Sequence, residues 1–371
     1  MTNTRKFAKQ ALTLALALLM LTLAAAQACA EAAPIEDDPL HGEEPYTVKV
    51  LYGTGLCGVP FHVAKQLGFF EAEGLVEGVD YEFFKSDSAQ NELFATGNLD
   101  VGNGLLASKL APLDNGLEIK TVAGLHTGCI QILGRAESGI NTVEDLRGKR
   151  IGVSALATSA HIISQRVLAS AGIGVTTDNS EVEFVVFTQS ELPLVLENGA
   201  VDAIVTEDPT ATTLIVDGVA TSIYNYGVSE YLKDEYCCTL WVTAEALEKY
   251  PYQISRVVNA ILKASAWVDA NRHLAIDIQM ENGWNPNGAE GKREYAYASI
   301  DNFKYLPSVS GARDALYRNI TEMQELGLVK AETDAKALAE YAFFALPNVP
   351  DTYVGTEIVP PLDPYQFVSE K

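Results

Sequence analysis

Two stretches decide the fold: Tyr81 to Gly104, YEFFKSDSAQNELFATGNLDVGNG, and Val182 to Asp208, VEFVVFTQSELPLVLENGAVDAIVTED. Each reads as a β-rich strand, a short polar loop and an amphipathic helix ending at Gly97 or Gly199, after which Asp100 or Asp202 leads into a new strand. The copies are offset by about 101 or 102 residues, and upstream Val48 to Tyr52 is matched by Arg150 to Val153. Two similar βαβαβ units predict two lobes of one kind. The rival reading is ordinary βαβ grammar met twice by chance. Strand-like and helix-like segments alternate along the chain. That predicts an α/β fold of two lobes, each a mainly parallel sheet flanked by helices.

Working outward, Tyr46 to Tyr52 reads as a strand ending in Gly53-Thr54-Gly55-Leu56-Cys57-Gly58. Val59 to Leu67 follows as a helix with Pro60 in its first turn, where a missing N–H does no harm. Ser88 to Thr96 is a helix capped by Ser86 or Asp87. Ile119 to Leu133 looks like a strand pair leading out of the first lobe. Beyond Tyr224 the pattern turns helical, with apolar residues at three- and four-residue spacing in Ala244 to Tyr250, Ile254 to Asn271 and Asp314 to Leu326. This helical tail is expected to brace lobe one. The predicted organisation is 46–134 plus 227–371 for lobe one and 135–226 for lobe two. The two crossings near 134 and 226 then form a hinge that closes like jaws.

The start of the chain is set apart. Arg5, Lys6 and Lys9 precede an uncharged run from Ala11 to Ala26, the layout of a secretory signal over residues 1–30. A permanent membrane helix is the alternative, but the run falls short of the ~20 residues that span a bilayer comfortably. Ala28-Cys29-Ala30 fits cleavage after Ala30. Cleavage before Cys29 would instead leave a lipid anchor there, although Ala26 stands where leucine is usual. Residues 31–45 form an acidic linker containing Pro34 and Pro39. The formal net charge is −23, and −26 without the three leader cations. Such a surface repels nucleic acid and anionic lipid headgroups, so neither is an expected partner. The product is expected outside the cytoplasmic membrane, touching it only through an anchor at Cys29.

Parallel sheets bind ligands beyond the carboxyl ends of their strands. That rule selects the loops 53–60, 86–89, 102–105, 154–159 and 206–209. From the first come Thr54, Gly55, Leu56, Cys57 and the neighbouring Phe61 as ligand-binding candidates; from the second, Ser86, Asp87 and Ser88; from the third, Asn103. The other lobe offers Ser154, Thr158, Ser159, Glu207 and Asp208. The hydroxyls either cap helices or touch the ligand. Asp100 and Asp202 precede their strands and are read as turn residues. The loops hold Asp87, Glu207 and Asp208 but no Lys or Arg, the nearest being Lys85. This favours a neutral or cationic ligand, for instance a nitrogen heterocycle beside Phe61, Tyr224, Tyr226 or Tyr236.

His126, Cys129 and Cys237 are further ligand-site candidates, with Cys238 adjacent and Cys57 in the first loop. Three readings stand side by side: a soft-metal site using Cys57, His126, Cys129, Cys237 and Cys238, disulfides with Cys57–Cys129 the first pair to test, or small buried hydrophobes. No C-x-x-C occurs, and His126 with Cys129 makes only an H-x-x-C. No G-x-S-x-G, H-E-x-x-H or G-x-x-x-x-G-K-[ST] motif is present. No catalytic residue, resident metal or cofactor is assigned.

Leu67-Gly68-Phe69-Phe70-Glu71-Ala72-Glu73-Gly74-Leu75 and Thr142-Val143-Glu144-Asp145-Leu146-Arg147-Gly148-Lys149-Arg150-Ile151-Gly152-Val153 resemble substrate-binding proteins of the nitrate/sulfonate/taurine and thiamine-precursor group of ABC importers. The resemblance runs over roughly residues 46–275. It implies a periplasmic-binding-protein type II fold and a monomeric extracytoplasmic receptor. Such a receptor captures a small nitrogen- or sulfur-containing molecule by hinge closure and delivers it to a membrane permease. Some relatives are enzymes that make the thiamine pyrimidine, with a pyridoxal-phosphate lysine and a cysteine-rich iron segment. The export signal here, and Cys237-Cys238 as only a fragment of such a segment, argue against that activity.

Overall fold

Short β-branched and aromatic runs supply the strands, and the computed structural model arranges them as two five-stranded sheets. It describes residues 40–53, 55–86, 89–284 and 292–369. The expected signal, Cys29 and the linker up to residue 39 lie outside them, as do Thr54, Asp87 and Ser88. Everything that follows concerns the unit Glu43–Lys371.

The strands are β1 (Val48–Leu51), β2 (Tyr81–Phe84), β3 (Val101–Leu105), β4 (Ile119–His126), β5 (Ile130–Arg135) and β6 (Arg150–Val153). After the small hairpin of β7 (Val175–Thr176) and β8 (Asn179–Ser180) come β9 (Glu183–Val186), β10 (Ala203–Glu207), β11 (Ala220–Asn225) and β12 (Cys238–Thr243). The first sheet has the order β2-β1-β3-β12-β4 and the second β11-β5-β10-β6-β9. Read from the outer edge, the two orders are equivalent. In each, three parallel strands from one βαβαβ unit meet an antiparallel strand that has just crossed from the other lobe.

The repeat seen in the sequence holds at the level of register. Lys49 pairs with Glu82, and 101 residues later Arg150 pairs with Glu183; Val50 against Val101 is answered by Ile151 against Ala203. Asp100 accepts the Lys49 N–H at 2.8 Å, and Asp202 accepts the Arg150 N–H at 2.9 Å. Both aspartates fasten the start of a strand, far from the loops at its other end. The helices before them close at Gly97 and Gly199 with φ of +66° and +76°, a conformation glycine adopts without a Cβ penalty.

Three expectations need correcting. The pair β4 and β5 does not stay in one lobe: β4 ends the first sheet at His126 and β5 opens in the second at Ile130, so the first crossing is 127–129 rather than near 134. The helix expected from Ser88 runs over Gln90–Ala95, with Ala89 at its N-cap and no side-chain cap bond from that residue. The helical tail serves both lobes. Pro251–Ala270 lies on Val59–Gln66 and Val309–Glu325 on β4, but Arg293–Ile300 packs against Thr210–Val216 behind the second sheet. No helix among the described residues is long and apolar enough to cross a membrane.

Candidate functional site

The facing loop edges enclose a cavity of about 180 Å³. Cys57, Asn103, Gly104 and Leu105 line it from the first lobe, Ser159 and Glu207 from the second, and Cys129, Ile130, Cys237 and Cys238 from the two crossings. It lies at the carboxyl ends of β3 and β10 and at the first residue of the helix Ser159–Ser170, where open α/β sheets receive ligands. A larger groove of about 660 Å³, lined by Tyr46, Asp100 and Tyr250, sits at the opposite end of the first sheet. By the same rule it is the wrong end.

Local structure explains how the lining is presented. Gly58 is obligatory in the first loop, because a Cβ there would stand 2.3 Å from the Gly53 carbonyl oxygen. That close approach lets the short 3₁₀ turn Leu56–Gly58 point Cys57 at the cavity. Asn103 donates from Nδ2 to the Cys57 carbonyl at 3.3 Å, and its own carbonyl accepts from Gln90 Nε2 at 2.8 Å. Cys129 holds φ +143°, which ordinarily belongs to glycine. Strained backbone of that sort persists where the surroundings over-determine it, commonly at ligand clamps.

Several predicted residues are placed elsewhere. Phe61 is fully buried in the first-lobe core, and Tyr224 and Tyr226 are buried too. Tyr226 donates to Glu235 at 3.4 Å, and Tyr236 donates to the Leu306 carbonyl at 2.6 Å. None of these rings lines the cavity. Thr158 spends its hydroxyl on the Ala155 carbonyl at 2.8 Å, and Ala157 donates its N–H to His161 Nδ1 at 3.1 Å. Ser154, Gly55 and Ser86 are half-buried away from the lining, and Leu56 is core. Asp208 accepts from the Thr212 N–H and hydroxyl at 2.9 and 2.7 Å, from Gln131, and from Asn302 at 3.1 Å. It is structural, and burial holds its carboxyl above the usual range despite those donors. Glu207 next to it meets water in the cleft yet is walled by both lobes. Desolvation and then the Asp208 charge push its carboxyl up as well.

Lys109 was invisible from the loops. From the helix Leu106–Asp114 its Nζ donates to Gln90 Oε1 at 2.7 Å and Asn91 Oδ1 at 2.6 Å, beneath Gly104. Burial lowers its pKa to about 8. Its only sequence signal is a lysine on the otherwise apolar face Leu106, Leu110, Leu113.

Of the three readings of the thiols the disulfide one applies to two of them, but not as Cys57–Cys129, the first pair to test. Cys129 and Cys237 are bonded to each other, tying one crossing to the other, while Cys57 and Cys238 are free. A hydrogen bond with Cys238, then burial, keeps the Cys57 thiol well above its ordinary pKa. Cys57, Cys238 and a ring nitrogen of His126 all lie within 4.8 Å of one another. His126 is fully buried at the end of β4, beside Phe303 and Tyr305.

A family model described as NMT1/THI5 like matches residues 58–273. Among solved structures, the alkanesulfonate-binding protein SsuA from Xanthomonas axonopodis pv. citri, bound to MOPS, is similar with a TM-score of 0.64 at 18% identity, over 81% of this chain and 99% of that one. The periplasmic nitrate-binding protein NrtA from Synechocystis PCC 6803 matches with a TM-score of 0.61 at 15% identity, over 81% and 86%. A ligand-binding component of an ABC-type import system from Staphylococcus aureus, with zinc bound, matches with a TM-score of 0.63 at 15% identity, over 84% and 99%. No curated protein matches the sequence. At these identities the likeness establishes the periplasmic-binding-protein fold.

Proposed function

The chain belongs to the NMT1/THI5-like family, and from that membership we propose that it is the extracytoplasmic solute-binding component of an ABC importer, holding a small molecule between its lobes for a membrane permease. The observation that carries this reading is the cavity of about 180 Å³ lined from both lobes and both crossings. A ligand there touches every part that must move when the lobes part, so its binding energy favours the closed form. Enclosure also strips its water, which strengthens each polar contact. The volume is below the ~300–1,000 Å³ of pockets for drug-sized ligands, which suits a small solute. No Lys or Arg is among the lining residues, Glu207 is, and Lys109 is held by Gln90 and Asn91. These features favour a neutral or cationic nitrogen- or sulfur-containing molecule. The segments 154–159 and 206–209 would supply its second-lobe contacts, and the receptor would act as a monomer, exported and carrying a lipid anchor if Cys29 is modified.

A thermal-shift screen over alkanesulfonates, nitrate, nitrogen heterocycles and polyamines, followed by calorimetry, tests both parts. Binding of a heterocycle or amine, weakened about tenfold or more by Glu207→Gln through loss of a charge-assisted hydrogen bond, is the expected result. Taurine or nitrate binding more tightly than pyrimidines would overturn the charge argument. No stabilisation by any class would count against the receptor itself. A pyridoxal absorbance on the purified protein would point instead to a synthase of the thiamine-precursor type.

A further inference from the structure

The floor of the cavity is built from groups that have no evident use in holding a solute by hydrogen bonds alone. His126 is fully buried, and neither ring nitrogen has a partner with hydrogen-bond geometry among the described residues, although the Cys57 thiol is near enough to interact with the ring. An orphaned buried polar atom costs roughly 1–3 kcal/mol, so a compensating partner is called for. The two free thiols of the described chain, Cys57 and Cys238, stand within 4.8 Å of that ring, although they are 181 residues apart in sequence. Three elements converge to put them there: the 3₁₀ turn Leu56–Gly58, the end of β4 and the start of β12. Cys238 pairs in register with both Leu105 and His126, so the sheet itself fixes the imidazole beside the thiol.

We propose that Cys57, His126 and Cys238 hold one soft divalent cation of the zinc type. Thiolate and imidazole are the donors such ions prefer. With zinc–ligand bonds of about 2.0–2.3 Å, tetrahedral donors sit about 3.5–3.8 Å apart; from within 4.8 Å the set must draw in by at most about an ångström, a side-chain movement. On binding, the two thiols release their protons to solvent and the imidazole gives a lone pair. Two thiolates then neutralise the 2+ charge. Cys129 and Cys237 are engaged with each other and are not needed. Cys57 and Cys238 line the cavity whereas His126 stands behind them, so the fourth position of the ion faces the cavity. A solute with a nitrogen or sulfur donor then binds to it directly, a part that rests on the receptor reading.

The test uses the full chain carrying Cys29→Ala, stripped of metal by chelation and titrated with zinc against a chromophoric chelator. One zinc per chain is expected. Cys57→Ser, His126→Gln and Cys238→Ser each weaken binding about 100-fold or more, because losing even an outer-sphere partner costs ~10–100-fold. The exposed His273→Gln leaves it unchanged. Cobalt in place of zinc shows sulfur-to-metal charge transfer. Should a variant fail to fold, the unsubstituted cysteines answer: zinc protects Cys57 and Cys238 from alkylation, read by mass spectrometry. The assignment is overturned if zinc leaves both thiols equally reactive, or if affinity depends on Cys129 and Cys237 rather than on the three residues named. Solute binding is measured separately with and without zinc. Zinc without any solute sinks the receptor reading and spares the metal site; a solute that binds equally well to metal-free protein does the reverse.

Discussion

Phe61 directly follows the first cavity loop in the sequence, yet its ring is fully buried in the first-lobe core. Phe61→Ala is therefore expected to cost about 3–5 kcal/mol of stability, by urea unfolding, while solute affinity holds within about threefold. A stable variant that no longer binds would restore Phe61 as a contact. Its neighbour His62 carries the clearest pH signature. It is 1% exposed, beside Trp284, with Nδ1 3.1 Å from Gln279 Nε2, and burial lowers its pKa to about 3. Between about pH 6.5 and 3 the unfolded chain takes up a proton there that the folded chain refuses. His62 thus costs stability as pH falls through that window, by up to about 1.4 kcal/mol per pH unit, and nothing above it. Subtracting the profile of His62→Leu from the parent's should isolate this slope; parallel profiles would refute it. Four of the five loops selected from the sequence, 53–60, 102–105, 154–159 and 206–209, reach the cavity, but residue identity alone does not tell how their hydroxyls are spent. Thr158 and Ser159 are adjacent, and only Ser159 reaches the cavity. That choice depends on a helix starting one residue later, which no propensity resolves.

At the scale of elements, the parallel half of each sheet was legible because the chain writes it twice, with the same loop, glycine and aspartate. The antiparallel halves were not. β4 and β5 are separated by only Thr127-Gly128-Cys129, a spacing that reads as a hairpin, since consecutive strands usually neighbour one another. Gly128 at φ +77° and Cys129 at φ +143° instead throw the chain across to the other sheet. Nothing local announces that β4's true partner is β12, more than a hundred residues on. The second crossing lies against the first. A Cβ on Gly227 would come within 2.3 Å of the Asn302 carbonyl oxygen and 3.3 Å of Gly128 Cα. Both contacts are backbone and cannot swing aside. Gly227→Ala should cost about 1–3 kcal/mol as overpacking and slow opening of the hinge. An alanine variant as stable and as quick to release solute as the parent would mean the crossings have more room than their packing implies.

For the whole molecule, the lobes are held by more than the two crossings. Arg166, on the second-lobe helix Ser159–Ser170, is 1% exposed and forks onto Glu235 of the second crossing at 2.7 and 3.1 Å. The same guanidinium reaches Glu322 of the first-lobe helix Val309–Glu325 at 2.6 Å, and Asn319 at 2.9 Å. Nothing in the sequence sets it apart from a helix-surface cation, because its partners lie 69 and 156 residues away. Buried ion pairs give little net stability but are expensive to break singly, since the remaining charge has lost both water and partner. Arg166→Met leaves Glu235, which is 7% exposed, with only Tyr226 at 3.4 Å and Arg318 at 3.6 Å, and should cost about 3–5 kcal/mol. Arg166→Lys keeps the charge but lacks the planar fork that serves two carboxylates at once, so it should fall between. Glu322→Gln is the informative variant. It leaves the Arg166–Glu235 pair intact and weakens the arm that joins the second lobe to the first, together with the bonds Glu322 accepts from Tyr231 at 2.7 Å and Arg318 at 2.9 Å. If that arm holds the jaws together, small-angle scattering of solute-free Glu322→Gln will give a larger radius of gyration than the parent, and solute affinity will drop because closure must be driven further. If the radius and the affinity both match the parent while stability falls, Arg166 is a core brace, and closure is governed by the cavity and the crossings alone.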